Sequence, residues 1–316
     1  MRTRPFRQPD VFTDTPTRGN PVAVVLDGQD LDDEAMQRFA RWTNLSETTF
    51  VLPPTAEGAA GGADYRVRIF TPGGELPFAG HPTLGTCRAW LAHGGRPRRA
   101  GGIVQECAIG LVPIRVEGER LAFAAPPLQR SAPSPMLLSK VAAALGLKAS
   151  QIEAAQCLNN GPVWLGLLLD SPETVLALRP DHAALKALGQ KVGVAARTDA
   201  QDAGAPPLIG RANREARAFG ARSSTAAAAA VAAPSVDLEV RGFAAPIGVE
   251  EDPVTGSLNA SLAQWLIADS LMPTRYVAGQ GQCLGRDGRV HVAQDASGQI
   301  WIGGDVADCI EGQVLL

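Results

Sequence analysis

The sequence predicts an α+β fold built as two similar halves, each a mainly antiparallel sheet with one strongly apolar helix. Three observations carry this reading. Short alternating strands joined by brief turns dominate the chain. Each half holds one helical segment rich in Ala, Leu and Trp. Three motifs recur in the same order along the 316 residues, a length that suits two units of the usual ~100–200 residues.

The first motif is Asn20-Pro21 leading into Val22–Leu26 and Asp27, echoed by Asn160-Gly161-Pro162 leading into Val163–Leu169 and Asp170. Each is a turn followed by a buried apolar strand. In the second, His81-Pro82-Thr83-Leu84-Gly85 precedes a helical stretch, as does Asp252-Pro253-Val254-Thr255-Gly256. Read at equal offsets, these pair His81 with Asp252 and Gly85 with Gly256. In the third, Gln105 and Gly110 precede Ile114–Val116, and Gln280 and Gly285 precede Val290–Val292.

The remaining elements follow in order. Leu31–Trp42 reads as an amphipathic helix with Met36, Phe39 and Ala40 on its apolar stripe. Thr49–Leu52 and Tyr65–Phe70 read as strands. Pro126-Pro127 and Ala132-Pro133-Ser134-Pro135 read as the linker, and Met136–Leu147 resumes a helical pattern. The expected halves are therefore 1–128, completed by the last C-terminal residues, and 129–316. The second half is longer. Its excess, at about 197–236, contains the apolar run Ala226–Ala233 and reads as a surface insertion.

Composition excludes several function classes. Hydrophobic residues make up 45% and charged residues 19%, enough for a real core. Lys and Arg total 29 against 32 Asp and Glu, so no concentrated basic face for nucleic acid is expected. No apolar run is long enough to span a membrane, and the basic N-terminus is not followed by a signal-peptide core. A cytoplasmic protein is expected, without membrane or nucleic-acid partners. Cys87, Cys107, Cys157, Cys283 and Cys309 form no C-x-x-C, and His81, His93, His182 and His291 are scattered, so no metal site is expected. Nucleotide-binding glycine motifs and G-x-S-x-G are absent too. An enzyme of this composition would work with its own acids and bases.

The Pro-Gly turns place His81 and Asp252 at or just before two helix N-termini, with Asp252 as a cap and Thr83, Thr255 and Ser257 as further donors. Such ends offer free N–H groups and positive potential to a carboxylate. Glu47, in Asn44–Thr49, enters the apolar Phe50-Val51-Leu52, where partial desolvation would raise its pKa and suit it to acid–base work.

GNPVAVVL (19–26), NLSETTFV (44–51), RIFTPGGELPFAGHPTLG (68–85), GVEEDPVTGSLNASLAQWL (248–266) and the glycine pattern at 280–290 resemble the PhzF phenazine-biosynthesis family. The resemblance implies the diaminopimelate-epimerase-like fold: two pseudo-symmetric halves, each sheet wrapped around a central helix (82–93 and 257–270), with the site in the cleft between them. It implies a homodimer and a cofactor-independent isomerase of a small unsaturated carboxylic acid, as in the isomerisation of trans-2,3-dihydro-3-hydroxyanthranilate. By this resemblance Glu47 is the general acid/base, taking a proton from one carbon and returning it at another. His81 and Asp252 are its partners, Ser257 holds the substrate carboxylate, and Gly80 and Gly256 offer backbone N–H groups to ligand. Related racemases use two cysteines, but Cys87 lies six residues beyond His81, away from the helix start. Two other readings stay open: an epimerase or racemase using Glu47 with His81 or Asp252, and a binding or scaffold protein with the same fold.

Overall fold

A computed structural model describes residues 1–99, 101–198 and 235–316. Eight strands come before residue 125: β1 (Thr3–Val11), β2 (Asn20–Val25), β3 (Glu47–Leu52), β4 (Tyr65–Thr71), β5 (Gly74–Leu76), β6 (Ile103–Cys107), β7 (Gly110–Glu117) and β8 (Arg120–Ala124). Ten follow: β9 (Gln129–Ser131), β10 (Ile152–Asn159), β11 (Val163–Leu169), β12 (Val192–Arg197), β13 (Leu238–Ala244), β14 (Val249–Asp252), β15 (Arg275–Gln280), β16 (Gly288–Gln294), β17 (Ile300–Gly304) and β18 (Val306–Leu315). The helices are α1 (Asp33–Thr43), α2 (Ala56–Gly61), α3 (Gly80–Ala92), α4 (Pro135–Leu145), α5 (Pro172–Ala177), α6 (His182–Ala187) and α7 (Gly256–Ala268). The class is α+β, as the alternating strands predict.

From β1 to β8 the pairings are antiparallel except β2–β3 and β4–β6, which are parallel. From β10 to β17 the same order of senses recurs, with β11–β12 and β13–β15 parallel. β8 joins β17, so the two series form one continuous ladder. β9 pairs with β10, and β18 returns to pair with β1 along its length. The expected linker therefore contains a strand: Gln129–Ser131 has hydrogen-bonding partners that local Pro content could not reveal. β12 ends at Arg197, where the expected insertion begins, and 199–234 lies outside the described residues.

α3 and α7 are each enclosed by strands. Leu258, Leu262 and Leu266 of α7 are wholly buried, as are Leu84, Cys87 and Ala89 of α3. A helix buried on nearly every side needs apolar residues all round, which is what the two Ala- and Leu-rich segments supply. Each fully buried Leu stabilises the core by roughly 1.5–3 kcal/mol. By contrast α1 is amphipathic. Asp32 caps it, Met36, Phe39 and Ala40 face the sheet, and Asn44 ends it in the left-handed conformation at φ 54°. Among the described residues no helix is long and apolar enough to cross a membrane.

Candidate active site

Gln105 and Gln280 fix the starts of the two enclosed helices. Gln105, on β6, donates to Thr83, the fourth residue of α3 (2.9 Å). Gln280, on β15, accepts from Asn259, the fourth residue of α7 (2.9 Å), and from the Thr255 amide (3.0 Å). Gly80 and Gly256 are thus equivalent first residues, and their backbones press together. A Cβ on Gly256 would lie 2.7 Å from the His81 nitrogen, and one on Gly80 would lie 2.7 Å from the Gly256 carbonyl carbon.

This register corrects the equal-offset pairing of the second motif. His81 matches Ser257, not Asp252, and Gly85 lies inside α3. Asp252 is not a helix cap either. It ends β14, and Thr255 occupies the cap position of α7. Proline and glycine recur in both motifs, but the close contact of the helix ends sets the register. Neither helix has a side-chain cap, so both N-termini keep free N–H groups.

A narrow cleft opens beside these ends. Ser46, Glu47, Lys191, Asp252, Thr255 and Ser257 supply its polar wall, and Trp164, Leu76, Pro162 and Ile247 are among its apolar lining. Gly80, His81 and Gly256 do not line it; the glycines are buried against each other, and His81 sits behind Glu47. The left-handed Asn44 turns the chain after α1 so that Ser46 and Glu47 reach the cleft at the start of β3.

Asp252 is held by three donors. Its Oδ1 accepts from Asn20 Nδ2 (2.9 Å) and Ser46 Oγ (2.8 Å), and its Oδ2 from Thr255 Oγ1 (2.7 Å). Burial pushes its pKa up while these donors pull it down. Glu47 has no such support. Burial first, and then the charge of Asp252, hold its carboxyl well above the usual range, with Lys191 opposing. Burial thus raises both carboxyls, Glu47 the more strongly, because only Asp252 has hydrogen-bond donors that oppose the shift.

His81 Nδ1 lies 3.2 Å from Glu47 Oε2. Burial pushes the imidazole down to about 3, against a smaller pull from the Pro21 backbone, so it is neutral. Nδ1 also lies 3.4 Å from Asn20 Nδ2, whose two hydrogens are donated to Asp252 Oδ1 and the Val254 carbonyl. In the tautomer with Nδ1 bare, the acid form of Glu47 can donate to it. Ser257 Oγ accepts from Trp164 Nε1 (3.4 Å), and Asn160 donates to the Ser257 carbonyl (3.0 Å).

Asn20, Ser46, Trp164 and Lys191 therefore join the expected Glu47, Asp252, Thr255 and Ser257. Asn20 and Asn160, already paired by the first motif, were the available signal for part of this set. The cysteines do not line the cleft, and burial pushes the Cys87 thiol up to about 12, which makes it inert. Among the described residues no three His, Cys, Asp or Glu side chains gather to hold a metal ion.

Asp252→Ala should leave the Asn20, Ser46 and Thr255 donors unpaired and lower stability by about 1–3 kcal/mol. Asp252→Asn should lose less, because an amide nitrogen at the Oδ2 position faces Thr255 Oγ1, which can turn to accept, while Asn20 and Ser46 keep their acceptor oxygen. Urea unfolding of both variants checks this ranking; equal losses would contradict it.

A family model described as phenazine biosynthesis-like protein, PhzC-PhzF, matches residues 9–312. The chain belongs to the PhzF family. It is 34% identical over 316 aligned positions to the trans-2,3-dihydro-3-hydroxyanthranilate isomerase of Pseudomonas aeruginosa, covering 97% of this chain and 98% of that protein. It is 33% identical over 330 positions to antisense-enhancing sequence 1 of Schizosaccharomyces pombe, covering 99% of each. A crystal structure of a PhzF-family protein from Bacillus anthracis superposes with a TM-score of 0.75 at 23% identity over 100% of both chains, a likeness of fold. Membership of the PhzF family agrees with the five sequence blocks that resemble it.

Proposed function

We propose that this chain is an isomerase that moves a proton within a small unsaturated carboxylic acid, with Glu47 as its acid and base. The observation that carries the reading is Glu47 itself, a buried carboxyl on the cleft wall whose pKa burial and Asp252 raise. Kinship with named isomerases over nearly the whole chain supports the same class. The reaction needs two half-steps. Glu47 gives its proton to one carbon of the conjugated system, and the resulting carboxylate removes a proton from another carbon. The double bond shifts, and Glu47 ends as it began. A raised pKa suits a carboxyl that must both give and take a proton; donation first is the reverse of the order inferred from the sequence.

The surrounding residues fit this cycle. Neutral His81 accepts from the Glu47 acid and orients its proton. Asp252, tied to Ser46 and Thr255, holds the cleft wall and keeps Glu47 reluctant to ionise. Ser257 and the uncapped helix ends receive the substrate carboxylate. The repeated strand order supports two pseudo-symmetric halves meeting at this cleft: 1–128 with β18, and 129–305. Closure of the halves would exclude water and strengthen each interaction.

The test is a single turnover of trans-2,3-dihydro-3-hydroxyanthranilate by enzyme equilibrated in D₂O. One deuterium at the newly saturated carbon is the expected product, read by NMR. Product without deuterium, or no product at all, would remove the assignment of Glu47 or of this substrate respectively.

A further inference from the structure

Lys191 has no part in the cycle above, yet it is the cation on the wall of the same cleft. It stands just before β12, and Val192, the first residue of that strand, opens the parallel ladder with Leu165. Glu47 opens the corresponding parallel ladder of the first series, with Val22. Lys191 therefore occupies, against β11, the step that Ser46 occupies against β2. The repeated architecture delivers an acid from one series of strands and a cation from the other. The Lys191 carbonyl accepts from the Leu165 amide (2.9 Å) and from Gln190 Nε2 (2.9 Å), which anchors its backbone.

The ammonium is positioned but not neutralised. Nζ lies 5.0 Å from the centre of the Trp164 ring, while the indole N–H of that ring points to Ser257. Lys191 thus lies over a face of the indole and Ser257 at its edge. Among the described residues Lys191 forms no salt bridge with a carboxylate, and its charge is felt by Glu47 only at longer range. Burial pushes Lys191 down to about 8, so it remains largely cationic at neutral pH. A half-buried cation over an indole, next to a hydroxyl and an uncapped helix end, is a receptor for an anion.

We propose that Lys191 is the substrate-binding residue that recognises the anionic end of the substrate, so that the site selects small cyclic monocarboxylates over their neutral amides. This rests on the reading of the cleft as a carboxylic-acid site, and it assigns the charge recognition to one residue. A substrate carboxylate between Lys191 and Ser257 would stack its ring near Trp164 and turn its unsaturated carbons toward Glu47.

The test uses binding, with no turnover required. Anthranilate and anthranilamide are titrated calorimetrically into the wild-type chain, Lys191→Met and Lys191→Arg, with thermal melts to verify folding. Wild type should prefer anthranilate. Lys191→Met should lose ~10–100-fold in affinity for the carboxylate, as expected for a charge-assisted hydrogen bond, and bind the amide unchanged. Lys191→Arg should retain most of the preference and shows whether a loss in the Met variant reflects charge or folding. A preference that survives in Lys191→Met overturns the proposal and leaves the carboxylic-acid site standing. A wild-type chain that binds neither compound, or both equally, overturns the proposal together with that reading.

Discussion

Glu47→Gln is expected to lower turnover by ~10²–10⁴-fold, the usual cost of losing a general acid/base, while stability holds at low pH and rises at high pH. Glutamine keeps the size and polarity of the side chain and cannot ionise. In the wild type the folded protein holds the Glu47 proton well above the ordinary value of 4.5, because of burial and then Asp252. The unfolded chain releases that proton near 4.5. Between these two values the folded state binds more protons than the unfolded state, so the Glu47 contribution to stability falls as pH rises. The variant has no such loss. The stability difference, variant minus wild type, should therefore be near zero below 4.5 and grow with pH through that window. Urea unfolding at several pH values, with turnover measured in parallel, checks both halves. A variant that stays active, or a stability difference that shrinks as pH rises, would sink the role given to Glu47. The expected result is a trade: the group that performs the chemistry is one the fold tolerates at a cost.

Much of this arrangement is written in local residue patterns. Alternation in Tyr65–Phe70 and the apolar run after Asn20 identify strands because burial on one or both faces leaves a period in the chain. The helices α3 and α7 are legible because full enclosure demands apolar residues all round. Glu47, Asp252 and Ser257 stand in distinctive blocks, so they could be named in advance. What escaped is set by contacts distant in sequence. Asn20 and Asp252 are 232 positions apart, and no local pattern distinguishes their hydrogen bond from solvation in two loops. β9 resembles a proline-rich linker until its partner β10 is known. Lys191 follows Gly189-Gln190 and has the profile of a solvated turn lysine, the ordinary fate of that residue type. The register of the second motif failed for a related reason. Proline and glycine are common punctuation, and only the pressure of Gly80 on Gly256 shows which glycine begins each helix.

That pressure carries the second large effect. Gly256→Ala should destabilise the fold by about 1–3 kcal/mol, the usual cost of overpacking, and also cut kcat/KM by ~10²-fold. The added methyl would lie 2.7 Å from the His81 nitrogen and 2.8 Å from both the Gly80 Cα and carbonyl carbon. These are backbone atoms at a helix start, so no flexible side chain can turn away, and the two helix ends must separate. Any separation moves Ser257, on α7, relative to the His81–Glu47 contact at the start of α3. The carboxylate-binding end of the substrate and its reacting carbons are then held by parts that no longer fit together. Gly312→Ala provides the control, because a Cβ there meets nothing within 4 Å and should change stability by less than about 0.5 kcal/mol. Urea unfolding gives the first quantity and steady-state kinetics the second. If Gly256→Ala folds with unchanged kcat/KM, the contact between the helix ends is packing alone. A loss of activity in protein still folded at the assay temperature would show that the contact between the two helix ends also sets the geometry of the site.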